Sequence, residues 1–271
     1  SPLTTPTLYI PQETTLDSMR ANWVAACLNF SETAAEQILN QAFSMFPVEA
    51  VCVEVLQKGM SEIGNKWYEN QASVQQEHFA SSLAMRRLDA LLIASPAPSR
   101  QYTILVGCPA NEWHTFTPLM LSLFLRRRGY NVIYLGANVP ADRFEETVQA
   151  VRANLVILVS QTLVSAAALQ HAALILSSKK ISVGYGGRIF NMRPEIIKHI
   201  SGHHLGNDVN AALEEVEHIL NGKRKSTQTQ SASQEYIAAH QFFTAKRADI
   251  EQTLKTLVKP LSISSESFQS G

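Results

Sequence analysis

The sequence predicts an α/β protein: a four-helix-bundle cap, then a doubly wound parallel sheet of five strands, then a C-terminal helical extension. Three observations lead to this order. Apolar residues in the first third of the chain recur at the spacing of a helical turn, the proline-bearing segment SPAPSR at 95–100 ends that pattern, and short apolar runs then alternate with amphipathic segments. We expect a tail at 1–15, a helical cap at 16–94, an α/β domain at 101–221, a linker at 222–234, a C-terminal helix at 235–260 and a tail at 261–271.

The cap is predicted from helical periodicity. The first two helices follow from the apolar series Met19, Trp23, Cys27, Phe30 and the series Ile38, Ala42, Phe46. Pro47 restarts the chain, and the third helix carries the apolar stripe Cys52, Leu56, Met60, Ile63 and Trp67. This stripe places Trp67 on the buried face of its helix. Ser73 and Gln76 have the spacing of a capping box and predict the start of the fourth helix.

The α/β domain is predicted from the alternation of strands and helices. Strands are expected at YTILVG (from 102), NVIYLG (from 131), LVILVS (from 155), ISVGYGG (from 181) and HHLG (from 203). Helices are expected at about 115–128, 141–152, 165–178 and 208–220, with a short one near 193. Such alternation predicts a flavodoxin-like, doubly wound parallel sheet. Ligands of these sheets bind beyond the carboxyl ends of the strands.

The segment after the sheet has a different character. Residues 222–234, GKRKSTQTQSASQ, are polar and predict a linker. Ile250, Leu254, Leu257 and Val258 then predict one amphipathic helix, which Pro260 stops. This helix needs an apolar surface to pack on, either the body of the chain or a partner.

Composition narrows the classes of function. Lys and Arg together number 23, as do Asp and Glu, so the bulk charge does not favour nucleic acid or an anionic membrane as a partner. Cys27, Cys52 and Cys108 lack paired or metal-type spacing, which indicates a reducing compartment. The sequence shows neither a membrane-spanning apolar run nor a signal-peptide pattern. We therefore predict a cytoplasmic protein with a small-molecule or protein partner.

Polar side chains and glycines follow three of the predicted strands. Glu112 and His114 follow the first strand, and a neutral imidazole binds transition metals well when a carboxylate holds its other ring nitrogen. Taken alone, this pair is a weak signal, and a loop histidine bonded to backbone or water is the commoner case. Ser160 and Thr162 end the third strand.

The fourth strand ends in a pair of glycines. Gly186 and Gly187 either let a ligand approach the backbone or simply make a turn. The sequence has no Walker loop and no dinucleotide fingerprint after the first strand, so phosphate cradling is not supported.

Taken in order, these motifs resemble the signature of the cobalamin-binding fold, which usually runs Asp-x-His-x-x-Gly, then Ser-x-Leu, then Gly-Gly. Here the motifs are Glu112-x-His114, Ser160-x-Thr162 and Gly186-Gly187. In the cap, Trp67 precedes the pair Glu77-His78 by nine residues, which resembles the cap motif of the light-dependent adenosylcobalamin photoreceptors known as repressors of carotenoid genes. The resemblance covers residues 16 to 221.

The resemblance implies a role for each matching residue. His114 would be the lower axial cobalt ligand in place of the cofactor's own base, with Glu112 holding the imidazole. The slot for the displaced dimethylbenzimidazole tail would be lined by Ser160, Thr162, Gly186 and Gly187. The upper side would be formed by the cap, with Trp67 over the corrin and Glu77 and His78 holding or screening the adenosyl group.

Four positions depart from the family pattern. Glu112 stands for the usual Asp, Thr117 for the glycine of the first motif, and Thr162 for the usual Leu. Tyr68 stands where the photoreceptors usually have a histidine that binds cobalt after light has removed the adenosyl group. The sequence also lacks the DNA-binding helix-turn-helix that precedes the cap in the repressors, so we expect no direct nucleic-acid binding.

Three functions compete at this point. The leading hypothesis is a light sensor rather than an enzyme, in which photolysis of the cobalt–carbon bond of adenosylcobalamin switches conformation or assembly. Its output would pass through the C-terminal helix to an effector or a second copy. Some relatives are thought to pair cobalamin with a bilin, and a bilin is kept here as an alternative second chromophore, although the sequence has no settled signature of a bilin site. The alternatives are a corrinoid carrier of a methyltransferase system and a flavodoxin-like interaction module without a cofactor.

Overall fold

The structure, a computed structural model, describes residues 15–141, 144–223 and 234–258. They fall into two compact units, of which Ser1–Gln228 contains the cap and the sheet and Thr229–Gly271 contains the C-terminal helix. The predicted tails and most of the predicted linker lie outside the described residues. Across the described ranges, no helix is both long enough and apolar enough to cross a membrane.

The cap contains the four predicted helical segments. Its elements are α1 (Leu16–Leu28), α2 (Glu32–Met45), α3 (Val48–Val51), a π-helical segment (Cys52–Gln57), α4 (Lys58–Tyr68) and α5 (Val74–Ile93). The third segment is continuous from α3 through the π-helical segment to α4, and it begins directly after Pro47. The predicted capping box is confirmed, because Ser73 N donates to Gln76 Oε1 at 2.7 Å and Gln76 N donates to Ser73 Oγ at 3.2 Å.

The predicted position of Trp67 on the buried face of its helix is wrong, because this side chain is 49% exposed. The buried residues of α4 are Gly59 and Ile63. Gly59 allows a close approach of α1, since a Cβ at this position would lie 2.9 Å from two ring atoms of Trp23. Trp67 lies about 80° around the helix axis from Gly59, in the last turn of α4.

The second half of the larger unit is a parallel sheet in the order β2-β1-β3-β4-β5. The strands are β1 (Thr103–Pro109), β2 (Asn131–Val139), β3 (Leu155–Val159), β4 (Val183–Gly186) and β5 (His203–His204). The helices between and after them are α6 (Phe116–Arg127), α7 (Phe144–Val151), α8 (Leu163–Ser178), α9 (Arg188–Met192), a 3-10 helix (Pro194–His199) and α10 (Val209–Leu220). This confirms the flavodoxin-like, doubly wound α/β fold.

Burial along the strands follows their place in the sheet. Every residue of β1 and β3 is buried, whereas β2, at one edge of the sheet, is mostly half-buried. Because all strands run in parallel, the segments that follow β1, β3 and β4 meet at one edge of the sheet.

The cap and the sheet share one hydrophobic core. Buried residues of the cap belong to the same cluster as residues of α6, β1 and α10, among them Trp23, Leu56, Leu83, Phe124 and Val216. Arg127 Nε of α6 also lies 2.7 Å from Glu49 Oε1 of the cap. The sequence boundary at 95–100 therefore separates two patterns of secondary structure but not two cores.

Two helix boundaries differ from the prediction for local reasons. Arg193, expected within a short helix, separates α9 from the 3-10 helix with φ −136° and ψ 65°. The residue before a proline disfavours the helical region, and Pro194 follows it. Helix α8 begins at Leu163, two residues earlier than predicted, because Thr162 caps it.

The C-terminal helix, α11 (Gln234–Val258), lies in its own unit. It corresponds to the helix predicted at 235–260, and the predicted stop at Pro260 lies outside the described residues.

Candidate functional site

A buried carboxylate organises the loop after β1. The side chain of Glu112 is fully buried, and each of its oxygens accepts two hydrogen bonds. Oε1 accepts from the backbone N of His114 at 3.0 Å and lies 2.6 Å from its Nδ1. Oε2 accepts from the backbone N of Gln161 and from Ser165 Oγ, both at 2.6 Å. One side chain thus joins the loop after β1 to the end of β3 and to the first turn of α8.

The same loop is also fastened to the end of β2. The backbone N of Asn138 donates to the carbonyl oxygen of Glu112 at 2.9 Å, and the backbone N of Asn111 donates to Asn138 Oδ1 at 2.9 Å. Both asparagines have positive φ, 63° at Asn111 and 52° at Asn138, a conformation that asparagine tolerates better than most residues.

Electrostatics keep Glu112 ionised. Burial alone would raise its pKa, but the hydrogen bonds from His114, Ser165 and Gln161 lower the pKa to about 2. Since an ionised carboxylate can only accept, Nδ1 of His114 donates, and Nε2 is the nitrogen left for a metal.

His114 is exposed although its partner is buried. Its side chain is 68% exposed, and the hydrogen bond to Glu112 raises its pKa against the opposing effect of partial burial. Glu77 of the cap also raises the pKa of His114, and Arg188, next to Gly187, lowers it.

The two hydroxyls predicted at the end of β3 have different surroundings. Ser160 is fully buried, and its Oγ has no hydrogen-bond partner among the described residues. Thr162 is exposed and caps α8, because its Oγ1 accepts from the backbone N of Ser165 at 3.2 Å. Only the hydroxyl of Ser160 is thus unpaired here within the part of the chain that the structure describes, and an unpaired buried hydroxyl is costly unless a ligand satisfies it.

The two glycines at the end of β4 differ in the space around them. Gly187 has φ 121°, and a Cβ there would lie 2.0 Å from the carbonyl oxygen of Ser160, so the fold itself demands glycine. A Cβ on Gly186 would meet no described atom within 4 Å. Internal packing therefore does not explain Gly186, whereas a ligand lying against the backbone would.

The cap residues of the predicted site lie at one end of the bundle. Trp67 and Tyr68 end α4, and Glu77 and His78 lie near the start of α5, so the short turn between the helices brings both pairs together. His78 Nδ1 lies 2.6 Å from Glu77 Oε2, and the His78 side chain is 74% exposed. Tyr68 is 86% exposed. All of these side chains except Glu77 present much of their surface to solvent.

Sequence reasoning missed three residues that hold the site together: Gln161, Ser165 and Asn138. Ser165 could have been found, because it lies three residues after Thr162 at the spacing of a capping box. Gln161 acts through its backbone N–H, and Asn138 acts across a neighbouring strand. Neither of these contacts leaves a local pattern in the sequence.

Three observations test whether these residues fit a cobalt corrinoid. The donor set offers one imidazole with Nδ1 held by a buried carboxylate, Ser160 has an unpaired buried hydroxyl, and Gly186 leaves space beside the backbone. All three fit a cofactor that takes one imidazole as a metal ligand and places a polar tail along the sheet edge. The sheet order, the helical cap and this site define the class of cobalamin-binding proteins.

Comparison with known families agrees with that class. Two domain families, each described as a B12 binding domain, match residues 19–92 and 102–212, which together are more than half of the chain. The chain belongs to the B12-binding domain proteins, and cobalamin is its cofactor.

The individual relatives are more distant. Over 140 residues the chain is 29% identical to the HTH-type transcriptional repressor CarH of Myxococcus xanthus, which covers 52% of this chain and 46% of that protein. Over 123 residues it is 33% identical to the HTH-type transcriptional repressor CarA of the same organism, which covers 45% of this chain and 41% of that protein. The chain thus matches less than half the length of these relatives.

A solved structure shares the fold. The monomethylamine corrinoid protein of Methanosarcina barkeri superposes with a TM-score of 0.61 at 16% identity, covering 75% of this chain and 99% of that one.

Proposed function

We propose that this chain is a light-sensing module that uses adenosylcobalamin. The observation that carries the proposal is the His114–Glu112 pair at the carboxyl edge of the sheet, in a chain whose cap carries the Trp-x9-Glu-His motif of Trp67, Glu77 and His78. Similarity to CarH and CarA supports the same proposal.

On the lower side, His114 would bind cobalt through Nε2. Glu112 would fix the ring by accepting from Nδ1, which raises the basicity of the coordinating nitrogen. Because Glu112 also accepts from Gln161 and Ser165, it cannot turn away without breaking contacts to two other segments. The ring is thereby oriented by the fold of three loops rather than by its own short loop alone.

The tail of the cofactor would lie along the end of β3 and β4. Ser160 would donate its unpaired hydroxyl to the tail, and Gly186 would allow the close approach. Gly187 would act indirectly, by letting the chain pass the carbonyl of Ser160. Thr162 would contribute by capping α8, because its hydroxyl is already bonded to the backbone of Ser165.

On the upper side, the exposed cap residues would be covered by the cofactor. Trp67, at 49% exposure, has an apolar face free to lie over the corrin, and Glu77 and His78 would contact the adenosyl group. Bound adenosylcobalamin would supply a cobalt–carbon bond that light can break. Tyr68 is a poorer cobalt ligand than histidine, so we expect His78 or water to take the vacated upper position.

The output of the switch would be a change at the α4–α5 end of the cap, or a change of assembly. The cap packs on α6 through a core that it shares with the sheet, which favours a local rearrangement of Trp67, Glu77 and His78 over a swing of the whole cap. The C-terminal helix α11 would connect the chain to an effector or to a second copy.

A corrinoid carrier of a methyltransferase system is the second candidate. The fold shared with the monomethylamine corrinoid protein is the observation that favours it. A carrier would use the same His114 and Glu112, but its upper side would need to admit a methyl group and a partner enzyme rather than enclose an adenosyl group.

The deciding experiment compares spectra in the dark and after green light. Protein is mixed with adenosylcobalamin in the dark, freed of unbound cofactor by gel filtration, scanned, illuminated, scanned again and passed through a second gel filtration with light-scattering detection. A sensor binds the adenosyl form tightly and changes its spectrum with light, and it also changes its elution if its output is a change of assembly. A carrier binds adenosylcobalamin and methylcobalamin alike and elutes at one position throughout.

Two histidine variants make this experiment specific. His114→Ala should give a bound spectrum without the signature of imidazole coordination, while His218→Ala, an exposed histidine on α10, should match the unaltered protein. An unchanged spectrum in the His114→Ala variant would refute the assignment of the lower ligand. Failure of the unaltered protein to retain any cobalamin would refute the site itself.

A further inference from the structure

Helix α11 carries a narrow apolar seam. Ile250, Leu254 and Leu257 follow the four-then-three spacing of a heptad repeat, and they are 39%, 42% and 64% exposed. Further back the sequence has aromatic residues at the d positions, Phe243 and Tyr236, and polar residues at the a positions, Arg247 and His240. A repeat of about 3.5 residues keeps such a seam on one side of a supercoiled helix and is the pattern of a coiled coil.

The positions outside the seam are mostly polar or small. Counting Ile250 and Leu257 as d positions and Leu254 as an a position, the outer positions b, c and f include Asp249, Gln252 and Thr256 and the alanines at 238, 245 and 248. Phe242, at an outer position and 69% exposed, is the exception. A helix that packs on a globular surface usually has a broader apolar face, so this narrow seam favours a helical partner.

The charges beside the seam select the partner. Lys246 occupies a g position and Glu251 the next e position. In a parallel pair of identical helices, a g residue faces the e residue that lies five positions further along the other chain. Lys246 would therefore face Glu251 of the partner subunit, and two-fold symmetry would repeat this pair on the other side. In an antiparallel pair g positions face g positions, and this attraction would be absent.

One charged residue interrupts the seam. Arg247 lies at an a position, where its Nε is 2.7 Å from Oε1 of Glu251 on the same helix. A polar or charged a position lowers stability and restricts the register in which two chains can pair. In-register pairing places the two Arg247 side chains in one layer, where the Glu251 carboxylate on the same helix offsets the repulsion between the guanidinium groups.

We propose that α11 forms a parallel, in-register, two-stranded coiled coil with a second copy of this chain, held by the Ile250–Leu254–Leu257 seam and by Lys246 facing Glu251 of the partner subunit. This proposal rests on α11 alone and holds whichever form of cobalamin the larger unit binds.

Site-specific disulfide formation in the full chain tests the geometry. Two d positions lie opposite each other in an in-register parallel pair, so Leu257→Cys should form a disulfide-linked dimer under mild oxidation that thiols reverse. The matched control is Gln252→Cys, at an outer f position on the same helix. The native thiols of Cys27, Cys52 and Cys108 are buried with their pKa raised to about 12, so they stay unreactive.

We expect several-fold more cross-linked dimer from Leu257→Cys than from Gln252→Cys. Equal cross-linking of the two variants, or none from Leu257→Cys, would overturn the proposal, and an antiparallel pair gives the second of these results.

Charge reversal tests the choice of partner. Lys246→Glu and Glu251→Lys each place like charges across the seam in a homodimer and should weaken dimerisation by about fivefold or more at low salt. A mixture of the two variants restores both opposite-charge pairs and should form a heterodimer, measured by sedimentation or by mixing one tagged and one untagged variant. If the variants dimerise as the unaltered chain does and do not prefer each other, the proposed pairing is wrong.

Discussion

Replacing Glu112 by glutamine removes the charge at the centre of the candidate site and changes little in size. Four donors converge on the carboxylate: two from His114, one from Gln161 and one from Ser165. Glutamine has one accepting oxygen and one donating nitrogen, so its oxygen can keep the two donors on one side only. The other side then sets an amide N–H₂ against groups that also donate.

The cost can be worked out donor by donor. If the amide oxygen faces His114, the hydroxyl of Ser165 can rotate to accept, but the backbone N–H of Gln161 cannot and is left without a partner, which costs about 1–3 kcal/mol. The remaining hydrogen bonds lose their charge-assisted part, about 1 kcal/mol each. Removing a buried charge returns some desolvation energy. The net loss in the free energy of unfolding is about 3 kcal/mol.

The assay is unfolding of the cofactor-free protein. In a unit of this size, about 3 kcal/mol lowers Tm by roughly 6–12 °C, and the urea midpoint should fall with the slope unchanged. Circular dichroism follows the helices, and the matched control Glu214→Gln, on an exposed position of α10, should stay within about 0.5 kcal/mol of the unaltered protein. A Glu112→Gln variant as stable as this control would show that the hydrogen bonds to Glu112 do not hold the three segments of the site together.

Three further predictions concern single side chains. Gly187→Ala should abolish or severely weaken folding, because its Cβ would lie 2.0 Å from a backbone oxygen. Gly186→Ala should leave Tm unchanged but lower the affinity for cobalamin, measured by titration. Gly59→Ala should destabilise the cap by about 1–3 kcal/mol in thermal unfolding, because the new Cβ would contact the indole ring of Trp23 in α1. Its control is Gly64→Ala, where a Cβ meets nothing within 4 Å, and this variant should stabilise α4 by about 0.5–1 kcal/mol. Trp67→Ala should change stability little because the side chain is 49% exposed, and it should weaken adenosylcobalamin binding and the light response.

Each of these predictions has a contrary result. Equal stabilities of the two variants in either glycine pair would show that the close approach of the Ser160 backbone to Gly187, or of the Trp23 ring to Gly59, does not determine stability. Unchanged cobalamin affinity in Gly186→Ala would remove the cofactor as the reason for glycine there. A Trp67→Ala protein that binds and responds normally would exclude the indole from the lid.

The alternation of apolar runs was enough to predict the fold class. Strands β1 and β3 are buried along their whole length, so they form continuous apolar runs that a single sequence shows clearly. The Glu112–His114 pair was visible for a similar reason, since both residues lie in one loop. Cap helix boundaries were marked by Pro47 and by the Ser73–Gln76 capping box.

The contacts that complete the site could not be predicted in the same way. Glu112 meets Gln161 and Ser165 across about fifty positions of sequence, and one of these contacts is made by backbone. Trp67 was misplaced because the stripe was counted from large apolar residues, although the innermost position of α4 is Gly59. A glycine that lets two helices pack closely is part of the core, but it does not appear as an apolar residue in the hydrophobic pattern of the sequence.

The common core of cap and sheet limits how this protein can be taken apart. Cutting the chain at the proline-bearing segment 95–100 would expose the apolar face of α6 that packs on α5 and would divide the core that the cap shares with the sheet. The cap should therefore not fold properly when it is fused alone to another sheet. A chimera that contains the cap must also contain the surface of α6 on which the cap packs. Substitutions should accordingly be tolerated best in the turn between α4 and α5, where most side chains are exposed and no buried neighbour has to change with them.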